Sequence, residues 1–309
     1  MPRLTASLAA LLLCFIGSAS AAELTVEEKP EGVTVKIDGQ PFADYLIKSG
    51  SKPIVWPIYG PTGKLMTRSW PMDDSVASEK DRDHPHQRSL WFTHGDVNGV
   101  DFWTEGKGRI VHREFVKVQG GPEATIVTKN DWRSPNDNTK LLEDERTFVF
   151  GGDADKRWID VTVALTAAHD PVVFGDTKEG SFGVRVPSSV RVESLKGGKI
   201  VNSDGLANIA AWGKPAAWVD YHGPVDDETL GVAILNHPSS FRFPSHWHVR
   251  TYGLFAANPF GLSDFTGGKE KGQYTLPAGE TMKLRYRVLL HKGDEKQGGV
   301  AEAFLDFSK

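Results

Sequence analysis

A chain of 309 residues carrying a formal charge of −4 is long enough to bury a large core. Nucleic acid is disfavoured as a partner, because neutralising phosphates takes a basic patch and no cluster of Lys and Arg occurs. The single cysteine, Cys14, lies in an apolar leader, so the processed chain is expected to lack disulfides, thiolate nucleophiles and zinc fingers.

Residues 1–21 read as a cleavable export signal. Arg3 supplies the positive start, Leu11 to Ile16 an apolar run, and Ala19-Ser20-Ala21 the small residues of a cleavage site. The apolar run is about a dozen residues, short of the roughly twenty that a membrane-spanning helix needs. The expected product is therefore exported, periplasmic or extracellular, with no membrane span. Beyond the leader, apolar and polar residues alternate over 32–37, 110–116, 147–150, 158–165 and 283–290, the period of half-buried strands. Turn signals such as Asp38-Gly39, Gly120-Gly121-Pro122, Gly151-Gly152-Asp153 and Pro277-Ala278-Gly279 separate them. Many short strands without intervening helices predict an all-β chain, a large antiparallel β-sandwich forming one domain over 22–309. The tail, 298–307, repeats apolar residues at spacings of three and four and predicts a short helix bracing the sheet. Two stretches, 68–88 and 241–268, break the strand rhythm and read as long loops, where sites tend to be built.

Four groups of side chains can carry chemistry. The first runs from Asp83 to Trp103 and includes His84, His86, Arg88, His94, Asp96, Asn98 and Trp103. Pro85 favours extended geometry at His84, which places His84 and His86 on one side of an extended segment. Two imidazoles so spaced can share a metal or serve as acid and base; each alone also fits a loop histidine bonded to a carbonyl. The second group holds His237 and then His246, His248 and Arg250, whose spacing of two puts them on one strand face with Trp247 opposite. Arg250 offers a planar donor fork for an anionic or hydroxyl-rich ligand. Third is Glu179, ahead of a strand, as a carboxylate partner for the histidines. Fourth is the pair Asp220 and His222, again two apart, the least distinctive of the set. No Gly-x-Ser-x-Gly elbow, phosphate loop or His-Glu-x-x-His is present.

The run from His84 to Trp103 resembles the signature of exported bacterial PmoA-like proteins, often labelled "methane oxygenase". So do Lys178-Glu179-Gly180, Asn236-His237-Pro238 and the run from His246 to Gly261. Gln87-Arg88-Ser89 departs from the His-Arg-Gly expected of that family, which weakens a metal site there. No segment beyond the leader has the apolar length that a membrane oxygenase subunit requires. The strand pattern and Leu276-Pro277-Ala278-Gly279-Glu280 before the last long strand are similar to the sandwiches of galactose mutarotase-like and polysaccharide-lyase proteins, an analogy of fold.

Three functions follow. The first is an exported carbohydrate-active enzyme, a hydrolase, lyase or epimerase, taking a small-molecule or oligosaccharide ligand. His84, His86, His246, His248 and Glu179 are its acid and base groups, Arg88, His94, Asp96, Asn98, Trp103, His237 and Arg250 bind substrate, and no cofactor is required. The second is a metal-dependent enzyme holding iron, copper or zinc on His84, His86, His246 and His248. The third is a non-catalytic glycan-binding protein. Nothing in the sequence specifies the oligomeric state.

Overall fold

The computed structural model of the chain describes residues 22–75 and 78–309. The leader read as an export signal lies outside them. In chain order the first strands are β1 (Leu24–Lys29), β2 (Gly32–Ile37), β3 (Gln40–Ser49), β4 (Lys52–Ile58), β5 (Leu90–His94) and β6 (Arg109–Gln119). Next come β7 (Ala124–Arg133), β8 (Lys140–Gly152), β9 (Lys156–Thr166), β10 (Val172–Phe174), β11 (Gly180–Arg185) and β12 (Lys199–Asn202). The last are β13 (Trp218–Val225), β14 (Glu228–Asn236), β15 (His246–Val249), β16 (Leu254–Asn258), β17 (Tyr274–Leu276) and β18 (Thr281–Lys292). Two short helices complete the fold, α1 (Leu262–Thr266) and α2 (Val300–Phe307).

The strands form two eight-stranded sheets, in the orders β1-β2-β3-β4-β5-β11-β16-β15 and β12-β13-β14-β18-β9-β8-β7-β6, while β10 and β17 pair separately. This is the expected large antiparallel sandwich. Its core lies between the sheets because one side of each strand is apolar. On β9, Ile159, Val161, Val163 and Leu165 are buried there, and on the facing sheet Val33, Val35, Phe92, Phe182 and Phe255 join the same cluster. Face-to-face burial of this kind is what alternation in a strand buys. The predicted run at 110–116 is different: β6 is an edge strand with two register shifts, and it is largely exposed after Ile110. Bulges of that sort blunt an edge against pairing with another chain.

The tail is helical as expected. Val300 and Phe307 of α2 pack on Trp218, Leu235 and Leu289, on the side of the second sheet away from the core. The stretch 241–268 is less irregular than the sequence suggests, since it contains β15, β16 and α1. The stretch 68–88 does remain irregular, with one 3-10 turn at Glu79–Asp81. Among the described residues no helix is long and apolar enough to cross a membrane.

Candidate active site on the outer face of the first sheet

Side chains alternate across a sheet, so residues between the core-facing positions of β4, β5, β11, β16 and β15 point outward. One row runs straight across: His248 lies opposite Ala256, Ala256 opposite Gly183, Gly183 opposite Trp91, and Trp91 opposite Ile54. At roughly 4.8 Å per strand the His248 and Trp91 backbones are separated by about 14 Å. Between them the two smallest residue types form the floor. A Cβ at Gly183 would meet the Trp91 ring at 2.8 Å, so the glycine lets the indole lie down on the sheet.

Above this floor Arg68 gathers much of the 68–88 segment. The Arg68 guanidinium donates to the carbonyls of Trp70, Asp81, His84 and Gln87 and pairs with Asp83. Arg185 from β11 reaches the same Asp83 at 3.0 Å and also bonds the Gln87 side chain. Burial pushes the Asp83 carboxyl up, but the Arg185 charge, the His84 hydrogen bond and the Arg68 charge outweigh it and hold the group below its ordinary range. This anchoring corrects the expected geometry at His84. Rather than extended, the residue is left-handed (φ 43°), and Gln87 N–H closes a turn on the His84 carbonyl. The two carbonyls that Arg68 Nη2 gathers, those of His84 and Gln87, are the ends of that turn.

The turn nevertheless brings His84 and His86 together, their ring centres 5.7 Å apart. His84 stacks on Tyr252 at 5.1 Å, with the rings almost parallel. Arg185 lies 4.7 Å from the centre of the same ring and Arg250 5.7 Å. The Tyr252 hydroxyl lies near the Gln87 side chain and within the field of the Glu179 carboxylate. Tyr252 is thus the point at which the first three groups of the sequence meet. Burial raises its pKa, which keeps the phenol protonated.

His86 packs against Trp103, which packs in turn on Trp91. Burial, with the charges of Lys52 and His84, pushes the His86 pKa down to about 4, so the ring is neutral near pH 7. Lys52, fully buried beneath it, is lowered by burial to about 8 despite its contact with Glu105. His248 is also pushed down to about 4, chiefly by burial. Its Nδ1 lies 2.9 Å from the Lys178 carbonyl. A carbonyl only accepts, so the proton is on Nδ1 and the lone pair on Nε2. The next residue after that carbonyl is Glu179, about one-third exposed and 3.4 Å from the Lys178 ammonium.

Several expected ligand residues are otherwise engaged. Trp91 and Trp103 are 2% and 1% exposed, so neither offers a ring to a sugar. Arg88 donates to Glu105 at 2.9 Å and to Ser49 at 3.0 Å, so it braces the site instead of reaching into it. His94 is fully buried between Phe174 and Phe260, with Nε2 on the Gly175 carbonyl. Asp96 accepts the Gly99 N–H within its own turn, and Asn98 accepts the Val173 N–H of β10. His237 belongs to the second sheet's end, capped by Ser239 and packed on Phe307. His246 stacks on Phe265 of α1, half-buried, at the sheet's rim. Nor do His84, His86, His246 and His248 gather as a metal site: among the described residues only Asp220, His222 and Glu295 bring three ligand atoms together, and they lie on the other sheet. Sequence reasoning missed Arg68, Lys52 and Tyr252. Of these only Tyr252 had a signal, standing two residues past Arg250 and so repeating the spacing of His246 and His248.

The fold and this layered face define a β-sandwich protein with histidines, arginines and Tyr252 gathered on one outer surface. A family model described as a family of unknown function (DUF6807) matches residues 32–305. The chain belongs to that family. The family states no activity and lends nothing to the oxygenase label. No curated protein matches the chain. Among solved structures it is similar to a galactose mutarotase-like protein from Clostridium acetobutylicum, with 9% identity, 88% of this chain and 99% of that one covered, and a TM-score of 0.46. It is also similar to the galactosidase domain of an alpha-galactosidase-sucrose kinase, with 9% identity, 87% and 42% covered, and a TM-score of 0.42. A third is a beta-arabinopyranosidase, with 11% identity, 90% and 39% covered, and a TM-score of 0.33. The chain spans about two fifths of the length of the last two. These are likenesses of chain course and say nothing of what this chain acts on.

Proposed function

We propose that this is an exported carbohydrate-active enzyme that moves protons on a sugar, and that it is a lyase or an epimerase. The observation that supports the reading is that one outer face presents a neutral imidazole of fixed tautomer, His248 beside Ala256, and a protonated phenol, Tyr252, packed in the cluster that includes Ala256. His248 Nε2 is a base with its lone pair turned away from the Lys178 carbonyl. Tyr252 is an acid kept protonated by burial. Glu179, His84, His86 and Arg250 surround the same place and suit a ligand rich in hydroxyls. In the reaction His248 Nε2 takes a proton from a sugar carbon. Tyr252 then gives its proton to the departing oxygen in a lyase, or to the opposite face of the carbon in an epimerase. Hydrolysis is less well supported, since glycoside hydrolases generally use two carboxyl groups. Here Asp83 is held by Arg68 and Arg185, and Glu105 by Arg88 and Lys52. Glu179, 3.4 Å from the Lys178 ammonium, is the freest of the three.

The test is to incubate the enzyme with oligosaccharides in heavy water and follow the sugar C–H signals by NMR. Deuterium should enter at one carbon, or an unsaturated product should appear, and His248→Ala should slow either about 10²- to 10⁴-fold without loss of fold. Hydrolysis products with no exchange, or an unimpaired alanine variant, would contradict the assignment.

A further inference from the structure

The second sheet carries a buried group of charges on its own outer face that the proposed reaction does not use. Asp220 and His222 on β13 alternate with Val219 and Tyr221, which enter the core, so both point outward. Gly231 separates His222 from His291 in one row across β13, β14 and β18. With a hydrogen in place of a side chain, Gly231 leaves both imidazoles room to turn toward Asp220. The Asp220 carboxylate receives both: Oδ1 lies 2.6 Å from His222 Nδ1, and Oδ2 lies 2.7 Å from His291 Nε2. The segment from β18 to α2 closes over them and brings Glu295 within 3.7 Å of His222 Nδ1.

The hydrogen bonds do not balance. His291 has Nε2 against the Asp220 carboxylate and Nδ1 3.1 Å from the Lys292 carbonyl. The Asp220 and Glu295 carboxylates both face His222 Nδ1, which has one hydrogen at most to give. Of the charged neighbours, Lys156 and Asp294 offset each other, and Lys199, opposite His222 on the edge strand, is exposed. Glu295 Oε2 is buried with no hydrogen-bond partner among the described residues, although its side chain is 11% exposed overall. A buried carboxylate oxygen without a partner is costly, and a cation would relieve it.

We propose that Asp220, His222 and Glu295 bind a divalent first-row transition ion, zinc foremost, with His291 orienting Asp220 from behind. One atom from each of the three lies within 4.8 Å of the others. Ligand atoms about 2.1 Å from a tetrahedral zinc are roughly 3.4 Å apart, so the set closes on an ion once the Asp220 and His222 atoms separate slightly. On binding, the proton between them moves to His222 Nε2, and Nδ1 becomes the ligand. An imidazole with two carboxylates favours zinc, iron or manganese over calcium or magnesium, which take oxygen almost alone. The His291 to Asp220 contact is the outer hydrogen bond that a ligating carboxylate commonly makes. The site lies on the opposite sheet from His86 and His248 and is independent of their proposed chemistry.

The test is zinc titration by calorimetry on the untagged, chelator-stripped protein, with visible absorption of the cobalt-loaded form as a second readout. The expected result is one equivalent of zinc and cobalt bands characteristic of few-coordinate nitrogen and oxygen ligation. Glu295→Gln, in the covering segment where the fold does not depend on it, should weaken binding at least about tenfold, and His291→Ala about ten- to a hundredfold. His86→Ala should leave zinc binding unchanged. Binding below about a tenth of an equivalent, or binding that survives Glu295→Gln and is lost in His86→Ala, would overturn the assignment.

Discussion

A glycine and an alanine make the floor between His248 and the tryptophans, and the glycine is the more demanding of the two. Gly183→Ala would set a methyl 2.8 Å from the Trp91 ring, which lies against Trp103 and through it against His86. Overpacking of this kind costs about 1–3 kcal/mol, so a lowered denaturation midpoint in urea is expected, together with reduced turnover as His86 is displaced. The sequence showed these positions unevenly. His246, Trp247 and His248 were legible because a strand of period two must separate them, and Trp247 does enter the core. The turn at His84 was not, because it is set by Arg68, sixteen residues away, whose donors no local spacing reveals. Lys52 likewise looks like any lysine entering a strand until Glu105 and Arg88 close over it.

Among the elements, β2 and β9 could be read from alternation, since one side of each is core and the other is not. The central strands β5, β11 and β16 could not, for every residue in them is buried. Covered on both sides, a strand loses its period and becomes a plain apolar run. Within 241–268 it is β16 that is hidden in this way, whereas β15 shows in the spacing of His246 and His248. Loss of period is also why the convergence of the clusters could not be foreseen. The order β5-β11-β16-β15 joins segments far apart in the chain, and only that order sets Trp91 and His248 in one row. The first expected ligand set failed for a related reason. Polar residues near turns are spent on backbone groups, Asp96 on Gly99 of its own turn and Asn98 on Val173 of β10.

For the molecule as a whole, its buried imidazoles govern the response to acid. His86, His94 and His248 all lie near 4 in the folded chain, against an ordinary value of 6.5, with burial the leading cause in each. Between those values the unfolded chain takes up protons that the folded chain does not. The stability these three contribute is complete above about pH 6.5 and falls progressively as the pH drops toward 4, offset in part by His291, whose raised pKa acts in the opposite sense. Thermal denaturation across that range should show a steady decline in Tm, and a flat profile would mean that the three rings are not held neutral. The two sheets divide the work. The first presents neutral imidazoles, while the second gathers carboxylates and imidazoles under the segment leading to α2.

The reading as a whole rests on His86 and His248 being neutral groups that face a ligand on the first sheet. Nitrogen-15 NMR of the imidazoles, followed through pH and with added oligosaccharide, measures this directly. Both rings should stay neutral to near pH 4, His248 should carry its proton on Nδ1, and a bound sugar should shift both while leaving His222 and His291 in place. Titration of His86 and His248 near pH 6.5, or sugar-dependent shifts confined to the second sheet, would contradict the account.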